Sequence, residues 1–123
     1  MKGMRGERLA GEFQKEIHRV ISGKLRAEYP ELSTVISITA ADVAPDLKSA
    51  KIFVSVYDHS AEKAENSFLI IKENAGFIRH EISQVMRIRT VPELRFVKDE
   101  SMGYGEKIDK ILQKLESDEK QSD

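Results

Sequence analysis

Arg79, Arg87 and Arg89 are the side chains of this sequence best suited to grip a polyanion, and Lys72 and Gly76 lead into them. A guanidinium group binds phosphate through paired hydrogen bonds and can also stack on bases. Positions 72, 76, 79, 83 and 87 step by fours and threes, so a helix holds Lys72, Gly76, Arg79, Ser83 and Arg87 on one side. The other side carries an apolar stripe at positions 64, 68, 71, 75, 78, 82 and 85. Glycine inside a helix costs roughly 1 kcal/mol relative to alanine. Gly76 therefore reads as bare backbone flanked by cations and turned away from the core, a surface suited to a phosphate backbone. The competing reading is an ordinary solvated helix face, with Glu81 and Glu93 as ion-pair partners.

A second group of cations, Arg5, Arg8, Lys15 and Arg19, lies near the start of the chain. Glu12 and Glu16 are interleaved with it, so a polyanion-binding face and a plain amphipathic helix both remain open. Lys51 stands beside Phe53 and Tyr57 in a strand-like run, where aromatic residues could stack on bases or simply cover a sheet. Nothing comparable points to catalysis. His18, His59 and His80 are far apart and lack metal-ligand spacing. Asp42, Asp46, Asp58 and Asp99 show no pairing for acid–base work. Cysteine is absent, and no Gly-rich phosphate loop or nucleophile elbow occurs. The expectation is a non-enzymatic binding protein without cofactor, metal or small-molecule substrate.

The net charge of -1 hides an uneven distribution. Lys2, Arg5, Arg8, Lys15, Arg19, Lys24 and Arg26 outnumber four glutamates among residues 1–29, whereas Glu116, Asp118, Glu119 and Asp123 dominate the end. A polyanion responds to the local field rather than to the sum. The acidic end predicts a disordered tail over 117–123, after one domain over 1–116. No apolar run approaches membrane-spanning length, and the lack of cysteine fits a reducing, cytoplasmic setting.

These residues need a frame. Leu9, Phe13, Ile17, Val20, Ile21 and Leu25 predict a helix from about Arg5 to about Glu28, ended by Tyr29-Pro30. Strands are expected at 34–43 and 50–57, joined by Ala44-Pro45-Asp46-Leu47 as an antiparallel hairpin. Ile36 and Ile38 differ in parity from Ala41 and Val43, which calls for a bulge near Thr39-Ala40. Helices on either side of Gly76 should span 61–87. Pro92 opens a third strand, Glu93 to Lys98, and a last helix begins between Ser101 and Gly105 with Ile108, Ile111, Leu112 and Leu115 on its apolar face. The order is α-β-β-α-kink-α-β-α, an α+β arrangement with a three-stranded sheet covered by helices on one face. A right-handed crossover should join the second strand to the third.

Five short pieces, in this order and spacing, resemble the ribosome-binding factor A family of bacterial small-subunit assembly factors, over roughly residues 5–115. They are Arg5-x-x-Arg8-Leu9, Asp46-Leu47-x-x-Ala50-Lys51-Ile52, Gly76-Phe77-Ile78-Arg79, Ile88-Arg89-x-x-Pro92-Glu93-Leu94-x-Phe96 and Asp99-x-Ser101. The resemblance implies a KH-like fold of type II strand order, with an interhelical kink in place of the nucleotide-clamping Gly-x-x-Gly loop. Here the kink reads Asn74-Ala75-Gly76, with Asn74 where the family usually has alanine; asparagine can still cap the first helix segment. Glu31 departs from a position that is often basic, so no cationic contact carries over there.

The resemblance further implies a monomer that binds the immature 30S small subunit and its 16S rRNA during late maturation, 16S rRNA processing and cold adaptation. A ribosome-assembly GTPase would take part in release. The RNA-contacting set expected on these grounds is Arg5, Arg8, Arg19, Lys51, Lys72, Gly76, Arg79, Arg87 and Arg89. The alternative is an adaptor that docks on a ribosomal protein through Phe53 and Tyr57 with little RNA contact.

Overall fold

Phe13, Ile17, Val20, Ile21 and Leu25 are all buried, so the apolar stripe of the first helical segment is the floor of the core. The computed structural model describes residues 2–100, with side chains from residue 8 onward. It places α1 at Lys2–Val20, a π-helical turn at Ile21–Leu25 and α2 at Arg26–Glu28. The sequence led to one regular helix here. The π turn, in which the Arg26 N–H reaches back to the Ile21 carbonyl, widens the helix locally. Steps of four from Phe13 to Ile17, Ile21 and Leu25 therefore stay on the core, and Lys24 is turned outward.

Strands β1 (Val35–Val43), β2 (Ser49–Tyr57) and β3 (Glu93–Lys98) form one sheet in the order β1-β2-β3. β1 and β2 pair antiparallel, and their register shifts between Ile38 and Ala40, at the expected bulge. The shift lets Ala41 and Val43 pack against the core after Ile36 and Ile38 have done so with the other parity. β3 lies parallel to β2, with Leu94 and Phe96 inward beside Ala50 and Ile52. Pro92 precedes the strand, where its missing N–H costs no ladder bond.

The crossover from β2 to β3 is α3 (Ala61–Glu73) and α4 (Ala75–Ser83). Ser60 caps α3, its hydroxyl accepting from the Lys63 N–H. Phe68, Ile71, Ile78 and Ile82 fill the core as the stripe required, but Val85 does not: it is 52% exposed and Met86 is buried instead. α4 stops at Ser83, not at residue 87. Gln84 and Val85 donate to the carbonyls of Glu81 and Ile82, three residues back, and this tighter turn rotates the chain. The expected last helix, Ser101 and the tail lie outside the described residues, as does the side chain of Arg5.

A buried polar knot ties the connections together. The Ser67 hydroxyl accepts the Ser33 N–H at 2.8 Å, and the Ser33 hydroxyl donates to Asp58 at 2.8 Å. Burial by itself would push the Asp58 carboxyl up. The Ser60 N–H and the Ser33 hydroxyl donate to it, and Lys63 and His59 add favourable charge, so it titrates below the ordinary carboxylate range.

Candidate nucleic-acid interface

The turn after β1 shapes one wall of the candidate site. Leu47 donates to the Ala44 carbonyl at 2.9 Å, the Lys48 N–H donates to the Asp46 carboxylate at 3.0 Å, and the Ala44 N–H donates to the Ser49 carbonyl. Reversing the chain within so few residues places Leu47 in the left-handed region, at φ 61. For a leucine this costs roughly 1–2 kcal/mol. The Glu93 N–H then donates to the Lys48 carbonyl and docks the start of β3 on the turn.

Between this turn, Leu9 of α1 and the segment from α4 to β3 lies a groove of about 430 Å³. Leu9, Leu47, Ile88 and Pro92 give it an apolar lining, and Lys48, Arg79 and Arg89 supply positive charge. Asp46 is the acid among the lining residues, and its carboxylate is engaged by the turn. Lys48 and Arg89 are exposed and take part in no ion pair among the described residues.

Arg79 has a different position from the one its spacing suggested. It is half-buried, and its Nε and Nη2 both donate to the Val91 carbonyl, at 2.9 and 2.7 Å. The guanidinium clamps the α4–β3 segment onto α4, and three of its five N–H groups remain for another partner. Arg87 lies beyond the end of α4, so the two arginines do not share a helix face. The structure instead brings Arg79 together with Arg89 and with Lys48, which the sequence pattern did not single out. Lys48 falls at an unspecified position of the turn piece Asp46-Leu47-x-x-Ala50.

Lys72 and Gly76 lie apart from the groove lining, at the α3–α4 kink. The kink is made by Asn74, at φ -101 and ψ 20, which is at once the C-cap of α3 and the N-cap of α4. Its Nδ2 donates to the Ile70 carbonyl at 2.8 Å, and its own carbonyl accepts from Ile78. Gly76 is exposed, does not have a positive φ, and a Cβ built on it would meet nothing within 4 Å. Phe77 beside it is 40% exposed. Neither the kink nor the packing demands a glycine there.

The remaining candidates are scattered. Arg8 is exposed on α1 next to Leu9. Arg19 is paired with Glu16 at 2.9 Å, a surface contact worth little to stability. Lys51 is exposed on the sheet face away from the core, in register with Asp42 on one side and Arg95 on the other. Tyr57 is only 7% exposed, so it offers neither a stacking platform nor a docking surface, and Phe53 is half-buried. Among the described residues no group of acidic or histidine side chains could hold a metal ion, and no helix is long and apolar enough to cross a membrane.

A family model described as "Ribosome-binding factor A" matches residues 5–112. A ribosome-binding factor A of Caldanaerobacter subterraneus subsp. tengcongensis is 40% identical over 115 residues, which cover 94% of this chain and 92% of that protein. One of Clostridium botulinum is 36% identical over the same length, covering 94% and 97%. The crystal structure of ribosome-binding factor A from Thermus thermophilus is similar in fold, with a TM-score of 0.62 at 15% identity, over 76% of this chain and 94% of that one. A Thermotoga maritima protein, a candidate ribosome binding factor A solved in solution, gives the same score at 22% identity, covering 80% and 91%.

Proposed function

The chain belongs to the ribosome-binding factor A family, and on that premise we propose that it binds the ribosome as a non-catalytic assembly factor that grips rRNA. The partner is the immature 30S subunit, contacted through its 16S rRNA during late maturation, rRNA processing and cold adaptation. The observation that carries the RNA part is the groove in which Lys48 and Arg89, without an ion pair among the described residues, present their charge around a recess. Arg79 contributes its remaining N–H groups there, and the bare backbone at Gly76 with Lys72 forms a second contact at the kink.

Cations at two separated places suit a flexible or bent strand better than a single point ligand. Held at both, an rRNA segment is kept out of its mature position until a competing fold or an assembly GTPase displaces the factor. No step makes or breaks a bond, so affinity and its salt dependence describe the activity. The reading that docks the chain on a ribosomal protein through Phe53 and Tyr57 loses support from the burial of Tyr57.

Sedimentation with purified subunits tests the proposal: the chain should travel with small subunits and not with large ones. For a single-stranded contact the logarithm of affinity should fall with the logarithm of salt by about 0.7 per phosphate neutralised. A flat salt dependence would remove the RNA grip, and absence from the small-subunit peak would remove the proposed partner.

A further inference from the structure

Phosphate contacts explain Lys48 and Arg89 at the rim of the groove but not its apolar lining. Leu47 is the most costly part of that lining. It is 53% exposed, and it occupies a left-handed backbone position that glycine or asparagine adopts with less strain. The turn needs the conformation and not the side chain, because its bonds are made by backbone groups and by the Asp46 carboxylate. A leucine unfavourable in both backbone and solvent, placed on a recess of about 430 Å³, makes sense through what enters the recess. That volume lies in the range of sites that enclose small organic groups.

We propose that the groove receives one unstacked nucleotide of a single-stranded RNA segment. Its base rests on Leu47, Leu9 and Ile88, and its flanking phosphates lie against Lys48 and Arg89. RNA is favoured over a protein segment because three cations, Lys48, Arg79 and Arg89, line the groove against one acid, Asp46, so its net charge is positive. Sequence-selective RNA recognition commonly works on splayed-out bases of this kind. The inference rests on the RNA-binding reading above and adds a base pocket to it.

Two variants isolate the pocket from the fold. Leu47→Gly and Leu47→Asn both accept a left-handed φ, so each keeps the turn while removing the apolar surface. The full chain is titrated with short single-stranded oligoribonucleotides carrying 2-aminopurine, whose emission rises when the base unstacks. Wild type should bind with increased emission. Both variants should bind about tenfold more weakly, the loss expected for one buried apolar contact, without the emission rise and with a Tm equal to or above that of wild type. Equal affinity and equal emission in wild type and variants would overturn the pocket and leave the RNA grip standing. RNA binding absent already in wild type would overturn the grip and the pocket together. Unchanged RNA binding with weakened sedimentation on small subunits would give the groove to a protein segment, and that also overturns the inference.

Discussion

Gly76 and Arg79 stand three residues apart in α4, and the fold makes opposite use of them. Around Gly76 the bend is produced by Asn74, whose amide holds the Ile70 carbonyl, and the glycine has open space where a Cβ would go. Arg79, by contrast, is committed to the Val91 carbonyl through two hydrogen bonds and fixes the approach to β3. The sequence pattern put both on one polyanion-facing side, whereas the fold gives a structural task to the arginine alone. A residue that costs stability and receives nothing from the fold is the stronger candidate for a partner's contact. A cation with a structural partner needs variants that separate its two uses.

The largest effect should come from the clamp. Arg79→Ala removes a charged donor from a carbonyl it holds by two bonds and should destabilise the chain by about 2–3 kcal/mol in urea unfolding. Arg79→Lys keeps the charge but not the two-pronged geometry, and should recover only part of that loss. A Tm unchanged in Arg79→Ala would break the comparison, because the residue would then be free for RNA alone.

At the kink, Asn74→Ala removes the amide bond to Ile70 and should cost about 1 kcal/mol. Gly76→Ala should go the other way, stabilising the chain by about 0.5–1 kcal/mol through helix propensity while weakening RNA binding. A stabilised Gly76→Ala that binds RNA as wild type does would show that the exposed backbone is not a contact.

Acid provides the control and the smallest effect at neutral pH. Asp58 lies outside both regions, and its carboxylate is held below the ordinary range. Its folded-state pKa is depressed, so its contribution is fully present above an unfolded value of about 3.9 and is lost as pH falls through the folded value. Asp58→Asn should flatten the acid limb of stability against pH, whereas Arg79→Ala should lower the whole curve without reshaping it.

Much of the frame was legible in the residues themselves. The bulge followed from the parity change between Ile38 and Ala41, and the antiparallel hairpin from the short link at Ala44–Leu47. Pro92 marked the start of β3, and Asn74 the break before Gly76. Each of these depends on neighbouring residues, whose spacing and backbone preferences act over a few positions. The π turn at Ile21–Leu25 was not legible, because steps of four differ too little from helical spacing to reveal one widened turn. Nor was the stop after Ser83, where nothing in Gln84-Val85-Met86 forbids another helical turn and burial of Met86 decides the outcome.

For the site, the sequence alone determined which side chains could carry positive charge and that Gly76 was an unusual choice inside a helix. Only the tertiary structure decided which cations meet. It took Arg87 off the face of Arg79, and it brought Lys48 and Leu47 into one groove lining with Arg89. It also spent two of Arg79's donors on Val91. The physical reason is range: periodicity reports what one element presents, whereas a groove between elements far apart in the chain exists only once packing has fixed their separation.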